Sequence, residues 1–178
     1  MGRKGRAVIY IDGACRNNGY EGATAGIGVY WPYRRRWSFY DSLEKRRRTN
    51  NCAEIYAATR AVEQAKQKGY RRVELRTDSD FLFKSMTQYL GKWLRNGWRT
   101  AKGHEVINRV DFEELLDAGE DMDVRWRKVQ AHSGDFFNEE ADRLANLGAD
   151  EDDRSDVDYV GLCYCDSDDE SDANYYCF

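Results

Sequence analysis

The sequence lacks any run of about 18 consecutive apolar residues, so it predicts no membrane-spanning helix. The N-terminus has basic residues but no signal-like apolar stretch before the first strand-like segment, so no secretory address is expected. The five cysteines are odd in number and include no CxxC pair, which argues against a secreted disulfide framework. We therefore expect an intracellular protein of the nucleus or cytoplasm, with no membrane partner.

Acidic charge is concentrated at the C-terminus of the chain. The 178 residues are 41% hydrophobic and 34% charged, which suits one globular domain. Residues 1–149 hold 27 Lys and Arg against 21 Asp and Glu, a net charge of +6, whereas residues 150–178 hold one Arg against 11 acids, a net charge of −10. We predict a basic domain over 1–149 with a polyanionic partner, and a disordered acidic tail over 150–178.

Hydrophobic periodicity predicts a mixed α/β domain. Five strands are indicated by short apolar or alternating runs, at residues 7–11, 25–31, 37–43, 73–77 and 123–129. Helices are indicated from Asn50 to Gly69, where alanines recur every four residues, and over 79–90, 106–116 and a last segment through 141–147. The helix between the third and fourth strands permits a right-handed crossover and parallel pairing.

Four carboxylates come from different predicted elements. Asp12 and Asp78 directly follow two strands, whose carboxyl ends meet if these strands are parallel neighbours. Glu54 lies near the start of the alanine-striped helix, and Asp142 lies on the last helix. Crowded carboxylates repel one another, and a divalent cation, in phosphate chemistry usually magnesium, removes that conflict. Taken singly, each residue also has a structural interpretation as a turn, helix-cap or solvent-exposed residue.

Seven segments together resemble type 1 ribonuclease H, in the family's order and over about residues 6–149. These segments are YIDGAC (10–15), AGIGVY (25–30), TNNCAE (49–54), LRTDS (75–79), WLRNGWRT (93–100), HSG (132–134) and NEEADRLA (138–145). The resemblance implies a ribonuclease H-like fold, with a five-stranded mixed sheet flanked by helices.

The resemblance also implies an activity. The family hydrolyses the RNA strand of RNA–DNA hybrids with two magnesium ions and leaves 5′-phosphate and 3′-hydroxyl ends. By motif, Asp12 would bridge the ions, Glu54, Asp78 and Asp142 would be the other ligands, and Mn²⁺ would be able to replace Mg²⁺. His132 matches a mobile-loop histidine that shuttles a proton or assists product release. Glu139 matches an acid near the attacking water, with a solvent-exposed helix start as its alternative.

Contacts with both strands of the hybrid are implied in the same way. The positions that match minor-groove contacts are Cys15, Asn18, Asn50 and Asn51, those that match a DNA phosphate pocket are Arg47, Thr49 and Asn108, and those that match an aromatic sugar channel are Phe81, Tyr89 and Trp93. Asn51 stands where the family more often has glutamine, and Tyr89 where tryptophan is expected. Residues 92–103 resemble a basic protrusion. Arg47 has an alternative role as a solvated member of a basic run. The three aromatic residues have an alternative role as core residues.

Three alternatives stay open: a hybrid-binding module without cleavage, the ribonuclease H domain of a reverse transcriptase, and a different nuclease on the same kind of sheet. The intact carboxylates argue against the first. Met1 lies just before the first strand, with no polymerase sequence before it, so we expect a free-standing enzyme without an N-terminal hybrid-binding domain. We also expect the protein to be a monomer. Zinc binding by Cys163, Cys165 and Cys177 is disfavoured because no histidine lies near them. An alternative to a merely solvated tail is that its negative charge competes with nucleic acid for the basic domain, and the sequence assigns no other partner to the tail.

Overall fold

The structure is a computed structural model that describes residues 5–43, 46–131 and 133–152. Its strands are β1 (Ala7–Arg16), β2 (Thr24–Tyr30), β3 (Phe39–Ser42), β4 (Arg72–Thr77) and β5 (Asp123–Lys128). Its helices are α1 (Asn50–Gln67), α2 (Asp80–Lys84), α3 (Leu90–Asn96), α4 (Arg109–Ala118) and α5 (Phe136–Asp152). A short 3-10 helix (Arg35–Trp37) precedes β3, and a π-helical segment (Ser85–Tyr89) joins α2 to α3. None of the helices in these ranges is long and apolar enough to span a membrane.

The five strands form one mixed sheet in the order β3-β2-β1-β4-β5. Strand β1 pairs antiparallel with β2 and parallel with β4, and β5 is parallel to β4. The predicted five-stranded mixed sheet is thereby confirmed. Helix α1 connects β3 to β4. These two strands run in the same direction, because β3 is antiparallel to β2, but they do not pair with each other, since β2 and β1 lie between them.

The prediction that the first strand ends at residue 11, directly before Asp12, was wrong. The strand continues to Arg16, because residues up to that position pair with β2 in a regular register that includes Cys15↔Ala25. Gly13 serves a different purpose from a turn: a Cβ atom there would lie 2.4 Å from the main-chain nitrogen of Glu54, so glycine lets α1 approach the strand closely. Asp12 is therefore held rigidly within a strand.

Helices α1 and α5 cover opposite faces of the sheet. The predicted alanine stripe of α1 is buried, with Ala57 and Ala61 among its fully buried members, against alternate residues of β1 such as Ile9. On the other face, α5 packs against β2 so closely that a Cβ atom at Gly28 would lie 2.0 Å from the carbonyl oxygen of Ala141. Glycines therefore set the positions of both helices relative to the sheet, Gly13 for α1 and Gly28 for α5.

Several predicted boundaries shift. The third strand begins at Phe39 instead of residue 37, since Trp37 belongs to the 3-10 helix. The helix predicted over 79–90 continues through the π-helical segment and α3 until Gly97, whose φ of 68° ends it. The helix predicted over 106–116 starts at Arg109, because the main-chain nitrogen of Val106 instead bonds to the carbonyl oxygen of Trp98.

The last helix also differs at its end. It runs to Asp152, so residues 150–152, which the charge pattern assigned to the tail, are helical and fold with the domain. The rest of the predicted tail, residues 153–178, lies outside the described residues, as does His132. Of the cysteines that the structure describes, Cys15 and Cys52 are free thiols.

Candidate active site

Three carboxylates meet where β1 and β4 lie side by side. One carboxylate oxygen from each of Asp12, Glu54 and Asp78 lies within 4.8 Å of the other two. Asp12 projects from β1, Asp78 directly follows β4, and Glu54 lies one turn into α1. The parallel pairing of β1 with β4 brings the two aspartates together, and the close approach of α1 at Gly13 adds the glutamate.

The fourth predicted carboxylate, Asp142, approaches the cluster from α5 on the other face. Its charge helps to raise the pKa of Asp12, so the two carboxyl groups lie close to each other. The Asn146 Nδ2 amide, one turn further along α5, donates to the Asp142 Oδ1 atom at 3.1 Å and orients the group. Asp142 thus borders the three-carboxylate cluster through Asp12.

Burial and mutual repulsion make this cluster electrostatically unfavourable at neutral pH. Burial raises the pKa of Asp12 to about 8, and the charges of Asp78 and Asp142 add to that rise. Burial also raises the pKa of Glu54 well above its usual value, with further contributions from Asp12 and Asp78. The Glu54 Oε2 atom is buried and has no hydrogen-bond partner within the described part of the chain. The cluster therefore favours a bound proton or a bound cation.

Two residues that the sequence analysis did not single out contact Asp78. The Asn138 Nδ2 amide donates to the Asp78 Oδ2 atom at 2.8 Å. The Lys128 ammonium donates to the main-chain carbonyl of Asp78, and its charge partly offsets the rise in the pKa of Glu54. The sequence could have indicated Asn138, because it lies four residues before Asp142 and that spacing places both side chains on one face of a helix.

Glu139, the acid that was predicted beside the attacking water, is exposed on the surface of α5. Its side chain forms no hydrogen bond or ion pair with the residues that the structure describes, and its neighbour Asn138 is the one that faces Asp78. The prediction for Glu139 therefore rests on the sequence match alone, as does that for His132.

Residues 4–150 match the family model described as RNase H. The chain belongs to the RNase H family. Ribonuclease H1 of Rattus norvegicus is 45% identical over 142 residues, which are 80% of this chain and 50% of that protein. Ribonuclease H of Hahella chejuensis is 40% identical over 144 residues, which are 80% of this chain and 93% of that protein. The chain spans about half the length of the first of these relatives.

A solved structure agrees with the family assignment. LC9-RNase H1, a type 1 RNase H with the type 2 active-site motif, superimposes with a TM-score of 0.65 at 27% sequence identity, over 85% of this chain and 76% of that one. The predicted type 1 RNase H fold is therefore confirmed.

The residues predicted to contact RNA lie at the end of β1, in the turn after it and at the start of α1, and β1 and α1 also carry Asp12 and Glu54. The Asn18 Oδ1 atom accepts a hydrogen bond from the main-chain nitrogen of Asn50 at 3.3 Å, which joins the β1–β2 turn to the start of α1. The side chains of Asn18, Asn50 and Asn51 are exposed, whereas Cys15 is half-buried and burial raises its pKa. Three exposed amides are thus available on the surface that the β1–β2 turn and the start of α1 form together.

Two of the three residues predicted to bind a DNA phosphate contact an acid that the sequence analysis did not single out, Asp111. Arg47 lies 3.6 Å from an Asp111 carboxylate oxygen, and the Asn108 Nδ2 atom donates to the same oxygen at 3.4 Å. The Thr49 hydroxyl caps α1 by accepting from the main-chain nitrogen of Cys52 at 3.2 Å. Asp111 holds the arginine and the amide together but also reduces the local positive charge.

The three predicted channel aromatics belong to one cluster. The ring centroids of Tyr89 and Trp93 lie 5.9 Å apart, and those of Phe81 and Phe112 lie 6.0 Å apart. Trp93 also packs against Phe112 at 5.4 Å, so the cluster extends from the fully buried Phe112 to Tyr89, whose side chain is exposed. The side of the cluster around Phe112 is core, whereas the role of these aromatics as a sugar channel stays a prediction.

Proposed function

We propose that this RNase H domain is an endoribonuclease that hydrolyses the RNA strand of RNA–DNA hybrids and leaves 5′-phosphate and 3′-hydroxyl ends. The observation that carries the proposal is the convergence of Asp12, Glu54 and Asp78, whose carboxylate oxygens lie within 4.8 Å of one another. Binding of a nucleic acid alone does not require such a costly cluster of like charges. Membership of the RNase H family supports the substrate class.

The cluster fits divalent cations. Its donors are hard carboxylate oxygens, which Mg²⁺ prefers and Mn²⁺ also accepts. The buried Glu54 Oε2 atom has no hydrogen-bond partner among the described residues, and the raised pKa values show that positive charge is lacking. Asp12, Glu54, Asp78 and Asp142 would hold the ions. Two such ions, when bound, activate a water for in-line attack and stabilise the leaving oxygen.

Other side chains of the domain keep the ligands in position. Asn138 and Lys128 hold the carboxylate and the main chain of Asp78, so this ligand cannot rotate away from the cluster. Asn146 does the same for Asp142. Such preorganisation matters because a misplacement of about 1 Å can cost about 100-fold in rate.

The surroundings suit a hybrid duplex. The amides of Asn18, Asn50 and Asn51 both donate and accept hydrogen bonds, as a ribose 2′-hydroxyl requires. Arg47, Thr49 and Asn108 offer charge, hydroxyl and amide to a DNA phosphate. The roles of His132 in proton transfer and of Glu139 near the attacking water belong to the same proposal.

The decisive experiment is cleavage of a strand-labelled RNA–DNA hybrid with Mg²⁺, beside Asp78→Asn and a matched control, Asp117→Asn. Asp117 is exposed in the last turn of α4. We expect RNA to be cut only in the hybrid, with loss of at least about 100-fold in rate for Asp78→Asn and on chelation, and no change for the control.

Other outcomes identify the alternatives. Hybrid binding without cleavage by the unmodified protein would assign a binding module, and cleavage of single-stranded or DNA–DNA substrates would assign a different nuclease. Cleavage that Asp78→Asn leaves intact would contradict the assigned site.

A further inference from the structure

The first residues of the acidic C-terminal stretch, 150–152, contact the basic domain. Each of its first three residues has a partner there: Asp150 pairs with Arg16, Glu151 accepts a hydrogen bond from the Tyr40 hydroxyl at 3.0 Å, and Asp152 pairs with Arg48. Asp152 is bound most firmly. Its two oxygens lie 2.6 and 2.8 Å from Arg48 nitrogens, one accepts from the main-chain nitrogen of Ala25 at 2.9 Å, and its side chain is fully buried.

These anchors lie next to the residues proposed to bind nucleic acid. Arg48 is between Arg47 and Thr49 of the proposed phosphate pocket, and Arg16 precedes Asn18 by two residues. The hydrogen bond between Asn18 and Asn50 joins the two segments into one surface. The chain therefore leaves the described fold at a point beside the surface around Arg47, Asn18 and Asn50, which we call the α1 entry surface.

The segment that follows has the charge and length to cover that surface. Residues 153–178 hold eight acidic residues and one arginine, a net charge of −7. These 26 residues reach at most about 90 Å when extended, far more than the width of the neighbouring surface. A flexible tether gives an effective concentration of roughly millimolar, at which even weak attraction between the tail and basic residues would be enough for binding.

We propose that residues 153–178 are a tethered polyanion that occupies the α1 entry surface and that a hybrid must displace in order to bind. The proposal rests on the proposed function, because the hybrid is the competing ligand. Carboxylates of the tail would take the place of phosphates near Arg47, in the way that Asp150 and Asp152 already pair with Arg16 and Arg48. The tail thereby makes hybrid binding weaker and less dependent on salt.

The test uses the full chain with the charges of the tail removed. The substitutions are D153N, D156N, D158N, D166N, D168N, D169N, E170Q and D172N. Residues 150–152 are left intact, because they belong to α5. Affinity for a fluorescent hybrid is measured by anisotropy in chelator, so that no cleavage occurs. We expect the neutral-tail variant to bind about 10-fold tighter at 50 mM salt, with the difference falling to about 2-fold or less at 300 mM.

Two arginine variants locate the effect. Arg47→Gln should shrink the ratio of affinities between the neutral-tail and unmodified proteins, because it removes a cation for which tail and hybrid compete. Arg125→Gln is the matched control, since Arg125 is exposed on β5 with a side chain that is 66% accessible, and it should leave that ratio unchanged. Equal shrinkage by both variants would overturn the assignment of the tail to the α1 entry surface.

A second measurement is independent of the hybrid. The amide NMR shifts of residues 16–18 and 46–50 should differ between the unmodified and neutral-tail proteins without nucleic acid. Unchanged shifts would overturn the proposal, since the tail would then act through its net charge alone. Equal hybrid affinities at 50 mM salt would also overturn it, since the tail would then not affect binding at all. If neither protein binds the hybrid, the proposed function fails, whereas the shifts still decide whether the tail docks.

Discussion

At the scale of single residues, the domain is governed by the electrostatic cost of its carboxylate cluster. Asp12 and Glu54 are buried among like charges, and Glu54 has an oxygen without a hydrogen-bond partner in the described ranges. Folding in metal-free solution therefore requires these groups either to bind protons or to bear the repulsion. The cost disappears when a cation binds, which couples metal affinity to stability.

Asp12→Asn should stabilise the metal-free protein in a pH-dependent way. The pKa of Asp12 is about 8 in the fold, against 3.8 for an ordinary aspartate, so the folded state binds an extra proton between those pH values and loses stability as the pH rises through them. In chelator, the variant should match the unmodified protein near pH 4. It should melt at least about 2–4 °C higher at pH 9, a difference of about 1 kcal/mol or more.

Thermal melts at the two pH values check this expectation, with Asp117→Asn as control. With excess Mg²⁺, the unmodified protein should melt at a higher temperature than Asp12→Asn, because only the unmodified site keeps all its ligands. A variant that is less stable than the unmodified protein at pH 9 in chelator would contradict the repulsion argument.

Lys128→Met should destabilise the metal-free protein. The ammonium of Lys128 bonds to the main chain of Asp78 and offsets repulsion at Glu54, and a hydrogen bond to a charged group contributes about 1.5–3 kcal/mol. Arg127→Met is the matched control, since Arg127 is exposed on the opposite side of β5. Denaturant unfolding in chelator should show a lower free energy of unfolding for Lys128→Met and an unchanged value for Arg127→Met. Equal losses for the two variants would assign no special role to Lys128.

At the scale of elements, close packing through small residues decides whether the site is assembled. Gly13 admits α1 and Gly28 admits α5, and each helix brings one carboxylate to Asp12. The alanine periodicity of α1 predicted the helix and its buried face. It could not predict how near the helix lies to β1, because that distance depends on which strand residues lie opposite.

Gly28→Ala should therefore impair both stability and activity. The added Cβ atom would lie 2.0 Å from the Ala141 carbonyl oxygen, so α5 must move away from β2 and take Asp142 and Asn138 with it. We expect the free energy of unfolding to fall by roughly 1–3 kcal/mol. The cleavage rate should fall as well, even at temperatures at which the variant is folded. Gly91→Ala is the control, since its Cβ atom would meet only the Arg95 side chain at 3.6 Å. Unfolding curves and cleavage rates of the two variants decide the matter.

At the scale of the whole molecule, the charge is divided between a basic domain and an acidic C-terminus. The structure moves the boundary between them, because residues 150–152 belong to α5 and pair with the body. The basic domain should bind hybrids chiefly through backbone phosphates, whose counterions are released on binding.

Hybrid affinity should accordingly fall steeply with salt. Between 50 and 200 mM salt, we expect the affinity of the neutral-tail variant to drop by about 100-fold or more. Anisotropy titrations at four salt concentrations give the slope. A nearly flat dependence would contradict binding through phosphates and favour a contact made mainly by the aromatic cluster.

The amino-acid sequence determined the five strands, the buried face of α1 and the candidate ligands Asp12, Glu54, Asp78 and Asp142, because periodicity and motif spacing are local properties. Only the tertiary structure decided that β1 continues past Asp12, that Asn138 instead of Glu139 faces Asp78, and that Lys128 and Asp111 border the site. These features depend on strand register and on which helix face meets the sheet, and both are set by packing between segments far apart in the chain. The pairing of Asp152 with Arg48 has the same origin, since 104 positions separate the two residues.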